Sequence, residues 1–233
     1  MEESLPVVVS NTLTVLLSAL GLFAIWRMLA RMDREAGYLG AFGCALIVGG
    51  GASATLNRLA VNLGGAPVRF FPDNFFSLLA PGFICLTYAV WHGQRVMLHQ
   101  PRPQSVWFAP IGLIGASQGL TAWLVGLPGG PTAFVVLLTT ATLANMALNW
   151  LCIRQALRQG RPVVALLFAG YTGMILSLNA VAHLGAVGSP LTLALIQSLN
   201  VLAAAFFARG AWLLNLQTRR ILLLRQQLAG LAG

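Results

Sequence analysis

The 233-residue chain contains no lysine, and only five of its residues are acidic. Charged residues make up 8% of the sequence, whereas soluble domains carry about a quarter. Hydrophobic residues reach 58%, and a bilayer-spanning helix needs about 20 mostly apolar residues. An ordinary soluble domain is therefore excluded, and the composition predicts a polytopic membrane protein. The basic excess of +9 then reflects membrane topology rather than nucleic-acid binding.

Residue types that build metal and catalytic sites are equally sparse. The cysteines Cys44, Cys85 and Cys152 each lie in an apolar run without a close partner, which disfavours a disulfide framework or a zinc site. No acidic residue lies in a confident predicted span, which disfavours a proton relay or an ion-coupled pump. We therefore expect no catalytic residue, no metal and no cofactor, and we predict that the protein is not an enzyme.

Apolar runs separated by proline and glycine breakers predict an all-α bundle of seven transmembrane helices. The expected organisation is a transmembrane domain over residues 1–212 and a helical cytoplasmic extension of the last span over 213–233. The predicted spans are 7–29, 38–61, 74–92, 105–126, 132–153, 163–185 and 190–212.

The arginines predict which way this bundle is oriented. Twelve of the 14 arginines fall in the segments that follow spans one, three, five and seven, and only Arg58 and Arg69 fall on the other side. Cytoplasmic loops carry the excess of basic residues. This bias predicts an external N-terminus, a cytoplasmic C-terminus and, for a bacterial chain, a multi-pass protein of the inner (plasma) membrane.

Polar side chains inside the predicted spans are the candidates for a binding site, because they are costly at membrane depth and face the bundle interior. They gather in the outer half and near the midplane, and the cytoplasmic half is apolar apart from Asn149, which predicts an outward-facing cavity. The alternative is that they only hydrogen-bond neighbouring helices, for about 1 kcal/mol each. The predicted ligand-binding residues are Asn57, Ser117, Gln118, Tyr171, Asn179, His183, Gln197 and Asn200.

Two further patterns concern the packing of the helices. Residues 56–64 and 178–185 resemble each other at the outer ends of spans two and six, as a duplication of three helices around a single linker helix would require. In span two, Gly49 with Ser53 and Gly50 with Ala54 form a small-xxx-small arrangement that predicts close helix contact. The first pattern supports a small-solute transporter as an alternative function.

Two known families resemble parts of the sequence. One resemblance is to the serine and histidine motifs of rhomboid proteases, carried by Gly115–Gly119 with Ser117 and by residues 182–185 around His183. The predicted depths of these two side chains differ too much for a catalytic dyad.

The heptahelical layout resembles microbial rhodopsins. In that layout Asn200 corresponds to the counter-ion position, Ala204 to the retinal-linking lysine and Tyr171 to a pocket aromatic. Without lysine no Schiff base forms, so the layout implies at most a rhodopsin-like protein lacking the retinal attachment.

Beyond the last span, apolar residues continue at three- and four-residue steps from Leu214 to Leu231, interrupted by Gln217. This spacing is typical of a heptad seam, and the alternative is an interfacial helix whose arginines meet anionic headgroups.

We expect the partners to be membrane lipids and either a homo-oligomer or a partner protein bound through the C-terminal helix, with no nucleic acid. The predicted function is a sensor or receptor-like module that signals through the last helix; a structural or assembly subunit is a further alternative.

Overall fold

The computed structural model describes residues 5–62, 70–101, 105–126, 133–184 and 190–231, and these contain seven α-helices and no strand. The all-α prediction is therefore confirmed for the described residues. The helices are α1 Leu5–Met32, α2 Arg34–Asn62, α3 Phe70–Met97, α4 Phe108–Val125, α5 Ala133–Arg158, α6 Pro162–Leu184 and α7 Pro190–Leu231.

Six of the helices (all except α6) are long and apolar enough to cross a membrane. The apolar stretch described in α6, Pro162–Leu178, is shorter. Large apolar side chains on the outside of the bundle, such as Leu16, Trp123 and Leu166, are exposed. A membrane provides the apolar surroundings that such side chains need, so the fold is compatible with a multi-pass membrane protein.

The helices form a ring of six with one helix outside it. Around the ring, α1 contacts α2, α2 contacts α3, α3 contacts α5, α5 contacts α6, α6 contacts α7, and α7 contacts α1. The eighteen-residue α4 packs on the outside against α3 and α5. Chain order therefore places three ring helices before α4 and three after it.

Glycine brings α2 and α3 together in the ring. A Cβ atom at Gly43 would lie 2.8 Å from the carbonyl oxygen of Gly82 and 2.9 Å from the backbone nitrogen of Leu86. A Cβ at Gly50 would meet Leu79 Cδ1 at 2.6 Å, whereas one at Gly49 would meet nothing within 4 Å. The predicted contact through Gly49 is therefore wrong, because this face of α2 points away from α3.

The end of the ring where α1, α3 and α5 finish, with Arg31, Arg95 and Arg158 in their last turns, is called the arginine-rich end. The opposite end, where α3, α5 and α7 begin, is called the arginine-poor end. At the arginine-rich end, Asp33 links α1 to α2 and accepts a hydrogen bond from the backbone nitrogen of Ala36 at 3.0 Å. This contact caps the first turn of α2.

The last helix, α7, is continuous over 42 residues, a length of about 63 Å, or twice the hydrocarbon core of a bilayer. Leu214 is buried within the bundle, but Leu224, Leu228 and Leu231 are exposed. The heptad seam predicted from Leu214 therefore packs inside this chain only at its beginning. Its far end presents an apolar edge that no described part of the chain covers.

Candidate functional site

A cavity of about 300 Å³ lies inside the ring, in the half nearer the arginine-poor end. Five of the six ring helices line it, and only α5 contributes no wall residue. No charged side chain is among the lining residues. The cavity is lined by Asn11, Thr14, Val15, Ser18, Ala19, Leu22, Ile47, Val48, Gly51, Ala54, Thr55, Phe75, Leu79, Phe83, Tyr171, Asn200 and Phe207.

The polar wall comes mainly from α1, where Asn11, Thr14 and Ser18 follow three- and four-residue steps and so share one helix face. The hydroxyl of Thr14 donates to the carbonyl oxygen of Ser10 at 2.9 Å and is already satisfied. By contrast, Nδ2 of Asn11 is buried, and no described residue accepts a hydrogen bond from it. Asn11 therefore offers a donor to a molecule in the cavity.

Tyr171 and Phe207 close the inner end of the cavity, with ring centroids 5.3 Å apart. The phenol oxygen of Tyr171 accepts a hydrogen bond from Nδ2 of Asn145 at 2.9 Å. Asn145 is in turn contacted by Asn149, whose Nδ2 donates to the Asn145 side-chain oxygen at 3.0 Å. Because the phenol accepts from Asn145, its own proton is available to a ligand on the cavity side.

The structure brings only some of the predicted ligand-binding residues together. Tyr171 from α6 and Asn200 from α7 both line the cavity. Asn57 lies on α2 two residues beyond the lining residue Thr55, and half-buried Gln197 lies on α7 one turn from Asn200, but neither lines the cavity.

The remaining predicted residues lie elsewhere. Ser117 and Gln118 are on α4, outside the ring, and the hydroxyl of Ser117 donates within its own helix to Ile114 at 2.9 Å. Asn179 and His183 belong to α6, but their side chains lie outside the described residues. The polar face of α1 was missed altogether. The three- and four-residue spacing of Asn11, Thr14 and Ser18 was the signal that could have identified it.

A second polar cluster lies at the arginine-rich end. Nε2 of buried Gln94 on α3 donates to Oε1 of Gln155 on α5 at 3.1 Å. Nε2 of Gln155 donates to the hydroxyl of Thr218 on α7 at 3.2 Å. Nearby, Arg31 Nη1 on α1 donates to Oδ1 of Asn215 on α7 at 2.7 Å. The hydrogen bonds of this cluster join four helices.

This cluster shows that buried polar side chains are not confined to the half of the bundle nearer the arginine-poor end. Gln94, Gln155, Asn215 and Thr218 are all buried, yet they lie beyond the predicted ends of spans three, five and seven. The described helices α3, α5 and α7 continue to Met97, Arg158 and Leu231. Amide side chains lower the hydropathy sum, so a hydropathy-based prediction ends the span before them. Here their hydrogen-bonding groups find partners on neighbouring helices, and the helices continue.

The charged residues around the cluster are partly paired. Nε2 of buried His92 lies 3.6 Å from Oδ1 of Asp33, the residue that caps α2. Among the described residues, no group of three His, Cys, Asp or Glu side chains is placed to hold a metal ion.

The 300 Å³ cavity is thus uncharged, mostly apolar and equipped with a few convergent polar groups, which is the common character of small-molecule sites. Its aromatic residues, Phe75, Phe83, Tyr171 and Phe207, provide flat apolar contact area. The amides of Asn11 and Asn200 can both donate and accept hydrogen bonds.

No family model, no curated protein and no solved structure matches the chain.

Proposed function

We propose that the protein is a non-enzymatic sensor or receptor-like module of the bacterial inner membrane. Seven helices span the bilayer, with the N-terminus outside and the C-terminus in the cytoplasm. The arginine bias supports this orientation, since 12 of 14 arginines lie on one side. In this orientation the 300 Å³ cavity belongs to the outer half of the membrane.

The observation that carries the proposal is the position of α7. Asn200 and Phe207 of α7 line the cavity, while Asn215 and Thr218 of the same helix take part in the polar cluster at the other end. The helix then continues to Leu231. A ligand that changes how α7 packs at the cavity therefore acts on a helix whose far end lies outside the membrane.

The lining defines the class of ligand. Because no charged side chain lines the cavity, a charged ligand would lose its hydration without gaining an ion pair. We propose a neutral, largely apolar molecule, lipidic or aromatic, that carries a hydroxyl or carbonyl group. That group would face Asn11, Tyr171 or Asn200, and the apolar part would contact the phenylalanine rings.

Output is proposed to pass through the exposed edge of α7. Leu224, Leu228 and Leu231 repeat at four- and three-residue steps and are exposed, as in the a and d positions of a coiled coil. This edge would bind a second copy of the chain or a partner protein. Movement of α7 then changes the geometry of that contact.

Filling the cavity tests the binding site. A Cβ atom at Gly51, which lines the cavity, would meet its nearest neighbour, Val15 Cγ2, at 3.5 Å, an ordinary contact. Gly51→Leu therefore places a side chain in the cavity without a backbone clash. Gly49→Leu is the matched control, because nothing lies within 4 Å of its Cβ position.

The measurement is native mass spectrometry of molecules retained by the full chain in mild detergent. We expect the wild type and Gly49→Leu to retain a neutral molecule, and Gly51→Leu and Asn200→Leu to retain at least about tenfold less, since a lost site costs more than 1.4 kcal/mol. Equal retention by all four proteins, or retention by none, would mean that the cavity serves packing only.

The second half of the proposal concerns α7. Spin labels at Leu98, the residue that follows the end of α3, and at Leu224 on α7, both exposed, report the distance between these parts of the chain. We expect its distribution to differ between the Gly49→Leu and Gly51→Leu proteins. If the two distributions coincide while retention differs, the cavity binds a ligand without signalling through α7.

A small-solute transporter is the second candidate, favoured by two observations. Chain order places three ring helices on each side of the peripheral α4, as in folds built from helix repeats. In addition, polar residues line a second cavity at the arginine-rich end. Flux of neutral solutes into proteoliposomes separates the two functions, because a sensor produces none.

A further inference from the structure

We propose that the cavity between α3, α5 and α7 at the arginine-rich end binds a phosphate group, carried either by an anionic lipid headgroup or by a free phosphate. The cavity has a volume of about 180 Å³. It is separate from the 300 Å³ cavity and shares no lining residue with it. The proposal therefore does not depend on the proposed sensor function.

Two arginines supply the charge. Arg158 ends α5, Arg225 lies on α7, and both line the cavity. Nη1 of Arg225 donates to the carbonyl oxygen of Met97, the last residue of α3, at 3.1 Å. This bond orients the guanidinium and leaves most of its five N–H donors for another acceptor. Guanidinium groups bind phosphate oxygens with paired hydrogen bonds.

The positive charge is not neutralised inside the cavity. No aspartate or glutamate is among its lining residues. Asp33 lies 3.6 Å from His92 and does not line the cavity. Two arginines that line one cavity without a lining carboxylate favour an anion from solution or from the membrane.

The inner wall supplies neutral hydrogen-bonding groups. Gln94, Gln155 and Gln159 line it. Nε2 of Gln159 donates to the hydroxyl of Thr218 at 3.4 Å, but its buried Oε1 has no hydrogen-bond partner among the described residues. An amide oxygen in this position can accept from a hydroxyl group. The glycerol of a phosphatidylglycerol headgroup offers such hydroxyls beside its phosphate.

The remaining wall is apolar and lies at the level of the helix ends. Met97, Leu98 and Ile221 line the cavity beside the arginines. Because α3 ends at Met97 and α5 at Arg158, the cavity lies where the apolar spans give way to charged segments. Basic pockets between helices at this level bind anionic headgroups. The apolar residues would then contact the glycerol and the upper acyl chain.

Paired arginine variants test the site in the full chain purified in mild detergent. Arg158→Gln/Arg225→Gln removes both guanidinium groups from the cavity. Arg154→Gln/Arg220→Gln is the matched control, with one exposed arginine on each of the same two helices and neither lining the cavity. Binding of phosphatidylglycerol and of phosphatidylcholine is measured by native mass spectrometry, and binding of inorganic phosphate by calorimetry.

We expect phosphatidylglycerol to bind the wild type more tightly than phosphatidylcholine. The cavity pair should weaken its binding about 30-fold, since each arginine near the membrane contributes about 1 kcal/mol. The control pair should weaken binding by no more than about threefold. Arg158→Lys/Arg225→Lys keeps the charge but cannot make the paired hydrogen bonds, and we expect it to restore only part of the binding.

The two probes distinguish the sources of the phosphate. Arginine-dependent binding of phosphatidylglycerol alone identifies a lipid headgroup, and arginine-dependent binding of inorganic phosphate identifies a free anion. Equal binding of both lipids without phosphate binding, or an equal loss in the control pair, overturns the proposal. If the glutamine pair lowers the unfolding temperature, Ile221→Trp, which fills the cavity, must produce the same loss.

Discussion

At the scale of single residues, Thr218 accepts hydrogen bonds from two side chains at the arginine-rich end. It is fully buried on α7, and its hydroxyl oxygen accepts hydrogen bonds from Gln155 at 3.2 Å and from Gln159 at 3.4 Å. A hydroxyl has two lone pairs, so both bonds can form together. Without this acceptor, two amide groups would each lose a hydrogen-bond partner inside the bundle.

Replacing the hydroxyl with a methyl group should therefore destabilise the bundle. We expect Thr218→Val to lower the free energy of unfolding by about 1–2 kcal/mol, and Thr218→Ser to lower it less because the acceptor is kept. Reversible unfolding in mixed micelles measures both. Thr139→Val is the control, since that exposed hydroxyl bonds only to Val135 of its own helix. A Thr218→Val protein as stable as this control would show that the cluster adds no stability.

At the scale of helices, close backbone contact decides the position of α2 against α3. The Cβ position of Gly43 lies 2.8 Å from the carbonyl oxygen of Gly82, and that of Gly82 lies 2.7 Å from Ile47 Cγ1 and 3.0 Å from the Gly43 carbonyl. Backbone atoms cannot move aside as a flexible side chain can. Any side chain at Gly43 therefore pushes the two helices apart.

We expect Gly43→Ala to lower the free energy of unfolding by about 2 kcal/mol, because it overpacks this contact. Gly49→Ala, six residues further along the same helix, meets nothing within 4 Å. It should leave stability unchanged or raise it by up to about 1 kcal/mol through helix propensity. The pair is compared by the same unfolding measurement. Equal effects of the two substitutions would mean that α2 and α3 are not in close contact at Gly43.

Hydropathy predicts the existence of the helices well but predicts their ends poorly. All seven described helices overlap the seven predicted ones. Their ends at the arginine-rich side were placed too early, at 92 for α3 and 153 for α5, whereas the helices end at Met97 and Arg158. Gln94 and Gln155 caused the difference, because their buried hydrogen bonds are invisible to a hydropathy sum.

At the scale of the whole molecule, the arginine distribution predicts the orientation of the bundle. We expect a cysteine in place of Gln226, an exposed residue near the end of α7, to resist a membrane-impermeant maleimide in intact cells and to react after permeabilisation. A cysteine in place of Glu3 should react in intact cells. The native Cys44, Cys85 and Cys152 are buried and provide a low background. Labelling of residue 226 from outside would reverse the proposed orientation and place the 300 Å³ cavity on the cytoplasmic side.

The candidate site could be predicted only in part. Tyr171 and Asn200 line the cavity, whereas Ser117 and Gln118 lie on α4, outside the ring. Polarity at membrane depth shows that a side chain needs a partner, and it does not show whether that partner is a ligand, a neighbouring helix or its own backbone. Ser117 is satisfied by Ile114 within α4, an outcome that residue spacing cannot distinguish from a binding role.

The amino-acid sequence alone determined the class of the protein, because a long apolar run in a bilayer can satisfy its backbone groups by forming a helix, and because charge asymmetry is a property of the loops. Only the tertiary structure decided that α4 lies outside the ring, that α1 supplies the polar wall of the cavity, and that the glutamines near the arginine-rich end are buried. Those features depend on the rotation of each helix about its axis. Contacts between residues far apart in the chain set that rotation.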